Sequence, residues 1–78
     1  MLNFFKAVLI KDNQPVKSKY HVVTVKPNDK YGYFEFTTKI YHHEFIEIVR
    51  YNECDKVELY YENEKSPFKV VERSKNGA

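Results

Sequence analysis

Residues 56–62, KVELYYE, keep a strict period of two, with Val57, Leu59 and Tyr61 on one side and Lys56, Glu58, Tyr60 and Glu62 on the other. Successive side chains point to opposite faces only in an extended chain, so this segment reads as a strand with one dry face and one wet face. Such a strand is not stable alone. It needs neighbours for its backbone and a core for its dry face, and the other 71 of the 78 residues must supply both.

They carry suitable side chains. Seven Tyr and six Phe favour a pleated, half-buried surface, while two glycines (Gly32, Gly77) and three prolines (Pro15, Pro27, Pro67) are too few for a disordered or fibrous chain. Size sets a limit, because a domain this small buries only about 60% of the surface its unfolded chain exposes. A thin core leaves few residues to line a deep pocket, so a flat or grooved contact surface is expected.

Leu2 to Ile10 reads as a first strand, with Phe5, Ala7 and Leu9 on one face and Phe4, Val8 and Ile10 on the other. Apolar residues on both faces predict a central position. Asp12, Asn13 and Pro15 supply turn chemistry before a second strand at about Ser18 to Lys26, and Pro27, Asn28 and Asp29 do so before a third at about Tyr31 to Thr37. Three strands joined by short turns predict an antiparallel meander. After the alternating segment, the turn-like ENEKSP leads to a last strand at about Pro67 to Arg73 that pairs back onto it. Residues 1–73 then form one domain, and residues 74–78 a flexible tail.

The stretch between, TKIYHHEFIEIVRY, supports two readings. Tyr41, Phe45, Ile48 and Val49 fit helical spacing, whereas Ile46, Ile48 and Tyr51 leave alternation open. With Thr37 or Thr38 as a cap and Glu44, Glu47 and Arg50 on the solvent side, a helix is the preferred reading. The expected fold is α+β, strand–strand–strand–helix–strand–strand, with the helix packed on one face of an antiparallel sheet. Were this stretch a strand, the alternative is a small all-β barrel.

The formal charge of +2 is segregated along the chain. Residues 1–43 carry seven Lys against Asp12, Asp29 and Glu35, a net +4; residues 44–64 carry Arg50 and Lys56 against seven acids, a net −5; residues 65–78 return +3. This basic–acidic–basic order makes an electrostatically polarised molecule if the fold keeps the segments on different faces. The lone Cys54 forms no internal disulfide, Lys6 and Lys11 break up the apolar start of the chain, and no run is long enough to span a bilayer. A cytoplasmic location, with no membrane partner, is the expectation.

Chemistry-bearing constellations are sparse. His42 and His43 are adjacent and so diverge, and with Cys54 they lack the spacing of a metal site. Cys54 lies between Glu53 and Asp55, whose charge disfavours a thiolate. His21, His42, His43 and Arg50 are suitable types for metal-free phosphodiester chemistry, but no spacing pairs them. Neither glycine belongs to a phosphate loop. The expectation is a non-enzymatic protein with no catalytic residues, metal or cofactor.

Binding has more support. Tyr31 and Tyr33 beside Lys26 and Lys30, joined by Tyr60 if its strand lies near, make a tyrosine-bearing sheet face. Such a face suits docking on a larger protein, which an accessory or phage-type inhibitor would block or modulate. The Lys, Asn, Ile and Tyr usage is that of an AT-rich genome, consistent with a bacterial or phage origin. Single-stranded nucleic acid is the alternative partner, stacking on the tyrosines and pairing with the lysines, although Glu58 and Glu62 flank Tyr60 and would repel phosphate. An uncovered sheet edge, or the second apolar face of the first strand, would further favour a homodimer.

Overall fold

The computed structural model describes residues 5–61 and 63–73, and every regular element among them is a β-strand. These are β1 (Phe5–Lys11), β2 (Gln14–Asn28), β3 (Tyr33–Ile40), β4 (His43–Arg50), β5 (Lys56–Tyr61) and β6 (Lys69–Glu72). They form one antiparallel sheet in the order β4-β3-β2-β1-β5-β6. The expected meander of the first three strands is present, β1 is central, and β6 pairs back onto β5 with Val57 opposite Val71. The tail expected at residues 74–78 and the ends of two expected strands, residues 2–4 and Glu62, lie outside the described residues.

The expected helix is absent, so the α+β assignment is corrected to all-β. Residues 43–50 instead form β4, paired with β3 from Ile40↔His43 to Tyr33↔Arg50. Two physical reasons stand out. Only eight residues lie between the flanking turns, fewer than the roughly 12–15 at which an isolated helix becomes even marginal. Ile46, Ile48 and Val49 are β-branched, and β3 has an edge whose backbone groups need partners. The barrel alternative has the correct strand content but not the closure: β6 approaches β2 without a ladder between them, so the sheet curls and stays open.

The turns follow from residue type. Asp12 and Asn13 form the two-residue β1–β2 turn with φ of +53° and +64°, which short polar side chains tolerate and the twist of a tight hairpin requires. In the β2–β3 turn the Asn28 side chain accepts from the Tyr31 amide at 3.2 Å, and Gly32 takes φ +73° while donating its N–H to the Asn28 carbonyl at 2.8 Å.

The long β2 is shared between two ladders. Its first half pairs with β1, its second half with β3, and both ladders meet at Val22, opposite Phe5 on one side and Thr38 on the other. Register shifts flank this point, and His21 has φ +61°. Bulges of this kind bend a strand and increase its twist. One face of the curled sheet thereby encloses Ala7, Leu9, Val22, Phe34, Phe36, Cys54, Val57, Leu59 and Val71. Ile10 is buried as well, outside that cluster.

Phe34 and Phe36 are the largest fully buried side chains. Truncating either to Ala costs about 3–5 kcal/mol, a large share of the roughly 4–12 kcal/mol expected for a domain of this length. The inner face ends at Lys19, whose stem is buried, whose ammonium lies 5.5 Å from the Phe36 ring centroid, and whose Nζ reaches a Glu47 carboxylate at 3.2 Å.

The left-handed backbone at His21 provides a test of the bend. A β-branched residue is strained there and Asn is not. His21→Val is expected to lower stability by about 1–2 kcal/mol and His21→Asn by clearly less, as read from urea midpoints. Equal losses would show that the bend does not depend on this φ.

Candidate functional site

The sequence-predicted binding residues separate into two places. Tyr31 and Tyr33, at the β2–β3 turn, stack with ring centroids 6.3 Å apart and planes 10° from parallel, and Lys30 Nζ sits 5.3 Å from the Tyr31 centroid. Tyr31 is exposed, while the Tyr33 hydroxyl accepts from the Asn28 side-chain amide at 3.3 Å. Lys26 is exposed on β2, with Glu35 as its cross-strand neighbour on β3. The structure therefore brings Tyr31, Tyr33 and Lys30 together, with Lys26 on the adjoining strand.

Tyr60 does not join them. Its strand β5 pairs with β1, and Tyr60 sits opposite Lys6, whose ammonium lies 5.1 Å from its ring centroid. Its hydroxyl donates to a Glu58 carboxylate at 2.8 Å; that bond, with partial burial and the carboxylate's charge, raises the phenol pKa. The β1 end near Lys6 meets β2 at Val22, six residues before the Asn28↔Tyr33 pair, a separation of about 20 Å at the rise of a strand. No continuous tyrosine face spans the two.

A second aromatic site arises where Tyr60 lies, from residues that sequence reasoning did not select. The Phe5 ring packs on Phe68 at 4.8 Å and edge-on to Tyr61 at 5.6 Å, while Tyr61 and Phe68 stack at 4.0 Å. This cluster borders an open groove of about 570 Å³ lined by Phe5, Lys6, Tyr20, His21, Tyr61, Asn63 and Glu64. Tyr20 and Tyr61 are 62% and 44% exposed, so their rings remain available for contact. Bringing these residues together takes three separate pairings, β1 with β2, β1 with β5, and the turn that returns Phe68, whose N–H donates to the Leu59 carbonyl at 2.9 Å. The available sequence signal was the pair of aromatics, Tyr61 and Phe68, flanking the last turn.

Cys54 is fully buried and its Sγ lies 3.6 Å from the Lys56 carbonyl. Burial pushes its thiol pKa up, and the charges of Asp55 and Glu53 push the same way. Sequence reading identified the acids but not burial, which is the larger cause. Among the described residues, no group of three or more His, Cys, Asp or Glu side chains is placed to hold a metal ion, and no helix is long and apolar enough to cross a membrane.

Compared with protein-family models, with curated proteins and with solved structures, the chain matches none of them.

Tyr51 supports the Tyr31–Tyr33 turn from behind. Its N–H donates to the Gly32 carbonyl at 2.9 Å, its ring packs edge-on to Phe34 at 4.9 Å, and its hydroxyl donates to an Asp29 carboxylate at 2.7 Å. Burial, then the hydrogen bond and charge of Asp29, raise its pKa from 10.0 to about 12. The folded state thus holds this proton more tightly than the unfolded chain. Its contribution to stability is complete below pH 10 and is lost as pH rises toward 12. Tyr51→Phe is expected to cost about 1 kcal/mol at neutral pH and to lose less stability than the wild type between pH 10 and 12. Urea midpoints at both pH values check the sign.

Proposed function

We propose that this protein is a non-enzymatic binding module that docks on a larger protein and inhibits or modulates it. The observation that carries this reading is the open groove bordered by Phe5, Tyr61 and Phe68 and fronted by the exposed Tyr20. Rings that are already packed on each other lose little conformational freedom when a partner arrives, and tyrosine is enriched among residues that dominate interface energy. The expected occupant is an apolar or aromatic side chain on the partner's surface. Lys6 and Glu64 at the rim would select the polar groups beside that anchor.

A second reading is favoured by one observation, the parallel Tyr31–Tyr33 pair with Lys30 above it. That pair would suit a base of a single-stranded nucleic acid. The groove reading is preferred, because the stack is confined to one turn and Glu35 lies beside Lys26, where a phosphate would have to pass.

Affinity capture from nuclease-treated lysate of the source cell separates the two. Under the docking reading, a stoichiometric protein is retained at high salt, Tyr20→Ala weakens its binding about tenfold or more without changing the melting temperature, and Tyr31→Ala leaves it unchanged. The purified partner should lose or change its own activity when saturated. Unchanged binding by Tyr20→Ala would sink the groove reading. Oligonucleotide binding that falls steeply with salt and is lost in Tyr31→Ala would establish the alternative.

A further inference from the structure

The β4 edge is built unlike the other edge of the sheet. β6 has four residues, a short edge of the kind that resists pairing with another chain. β4 has eight, with no Pro, no Lys and a regular register throughout. Phe45, Ile46 and Ile48 are 50%, 65% and 54% exposed on it.

The alternation of the antiparallel ladder states which backbone groups face outward. The Tyr51 N–H donates to the Gly32 carbonyl, so residue 51 belongs to a pair bonded towards β3, and residues 44, 46, 48 and 50 turn their N–H and C=O groups away from it. Arg50 is already engaged: its N–H donates to a Glu53 carboxylate at 3.4 Å, and its carbonyl accepts from the Glu53 and Cys54 amides. Glu44, Ile46 and Ile48 remain as an outward row on the last strand of the sheet.

We infer that this row pairs with its own counterpart, two copies of the chain joining β4 to β4 antiparallel about a twofold axis at Glu47. Self-complementarity selects the second copy as occupant. In this register Ile46 faces Ile48 of the second copy, Phe45 faces its Val49, and Glu44 faces its Arg50, each contact occurring twice by symmetry. The Ile46–Ile48 pairs are of the hydrogen-bonded kind, because both members face outward. The two Glu47 carboxylates meet near the axis, each already held by its own Lys19 at 3.2 Å. Shifting the axis to Ile46 would instead set Glu44 against Ile48 and Phe45 against Glu47, matching neither charge nor apolar surface. The paired sheet leaves the groove at Phe5 free on both copies, so the inference stands apart from the docking reading.

The test is sedimentation equilibrium of the full chain. The expected mass is twice that of the 9.4 kDa chain. Glu44→Arg and Arg50→Glu, both at exposed positions, should each weaken association about tenfold or more by placing like charges opposite. An equimolar mixture of the two variants should regain wild-type affinity, since every facing pair is then opposite in charge. Ile46→Pro removes an outward N–H without touching the β3 ladder and should yield a folded monomer. A wild-type chain that stays monomeric at the highest soluble concentration overturns the proposal. So does a dimer indifferent to Ile46→Pro, or one whose two charge variants do not complement each other.

Discussion

The bend in β2 is the constraint on which the rest of the structure depends. A single sheet with no helix to cover it has to supply its own second wall. The chain does this by running one 15-residue strand through both halves of the sheet, with His21 in a left-handed conformation and Val22 common to the two ladders. Without that turn of direction, Phe34 and Phe36 on β3 and Leu59 and Val57 on β5 would lie along one open plane. With it they share a core, and β6 closes towards β2 on the far side.

The same economy explains the surface. One layer of curled sheet has one dry face, so among the described residues several apolar side chains on the outer face and at the ends stay exposed. The exposed Ile46 and Ile48 stand beside Thr37 and Glu35 of β3, on the face opposite Phe34 and Phe36. The aromatic cluster of Phe5, Tyr61 and Phe68 lies at the β1–β5 end of the sheet, distant from the Tyr31–Tyr33 turn. The exposed apolar and aromatic side chains therefore gather at the ends and edges of the sheet rather than around a pocket within the core.

Strands whose alternation coincides with burial were legible from sequence. In β5, Val57 and Leu59 are buried and their neighbours are not, so the period of two is also the period of dryness. In β4 the side chains are nearly all exposed, which removes the burial contrast a pattern reading relies on and leaves apolar positions that fit either period. The candidate sites divide in the same way. Tyr31, Tyr33 and Lys30 come together because they are neighbours in sequence at one turn, whereas Tyr60 is placed by the pairing of β5 with β1, which no local pattern specifies. The groove residues were missed for that reason too.

By itself, the sequence determined the strand content of its alternating segments, the turn at Asp12-Asn13, the presence of a second turn near Asp29 but not its bounds, since Pro27 and Asn28 belong to β2 and Tyr31 to the turn, the central place of β1, and the inward position of Val57 and Leu59. Each depends on short-range chemistry: side-chain alternation, tolerance of positive φ, or apolar residues on both faces. Tertiary structure alone decided that residues 43–50 extend rather than coil, that Cys54 is sealed in the core, that Tyr60 stands apart from Tyr33, and that Phe5, Tyr20 and Tyr61 converge on one groove. These outcomes depend on which strand lies beside which, and that follows from the free energy of the whole curled sheet rather than from any one segment.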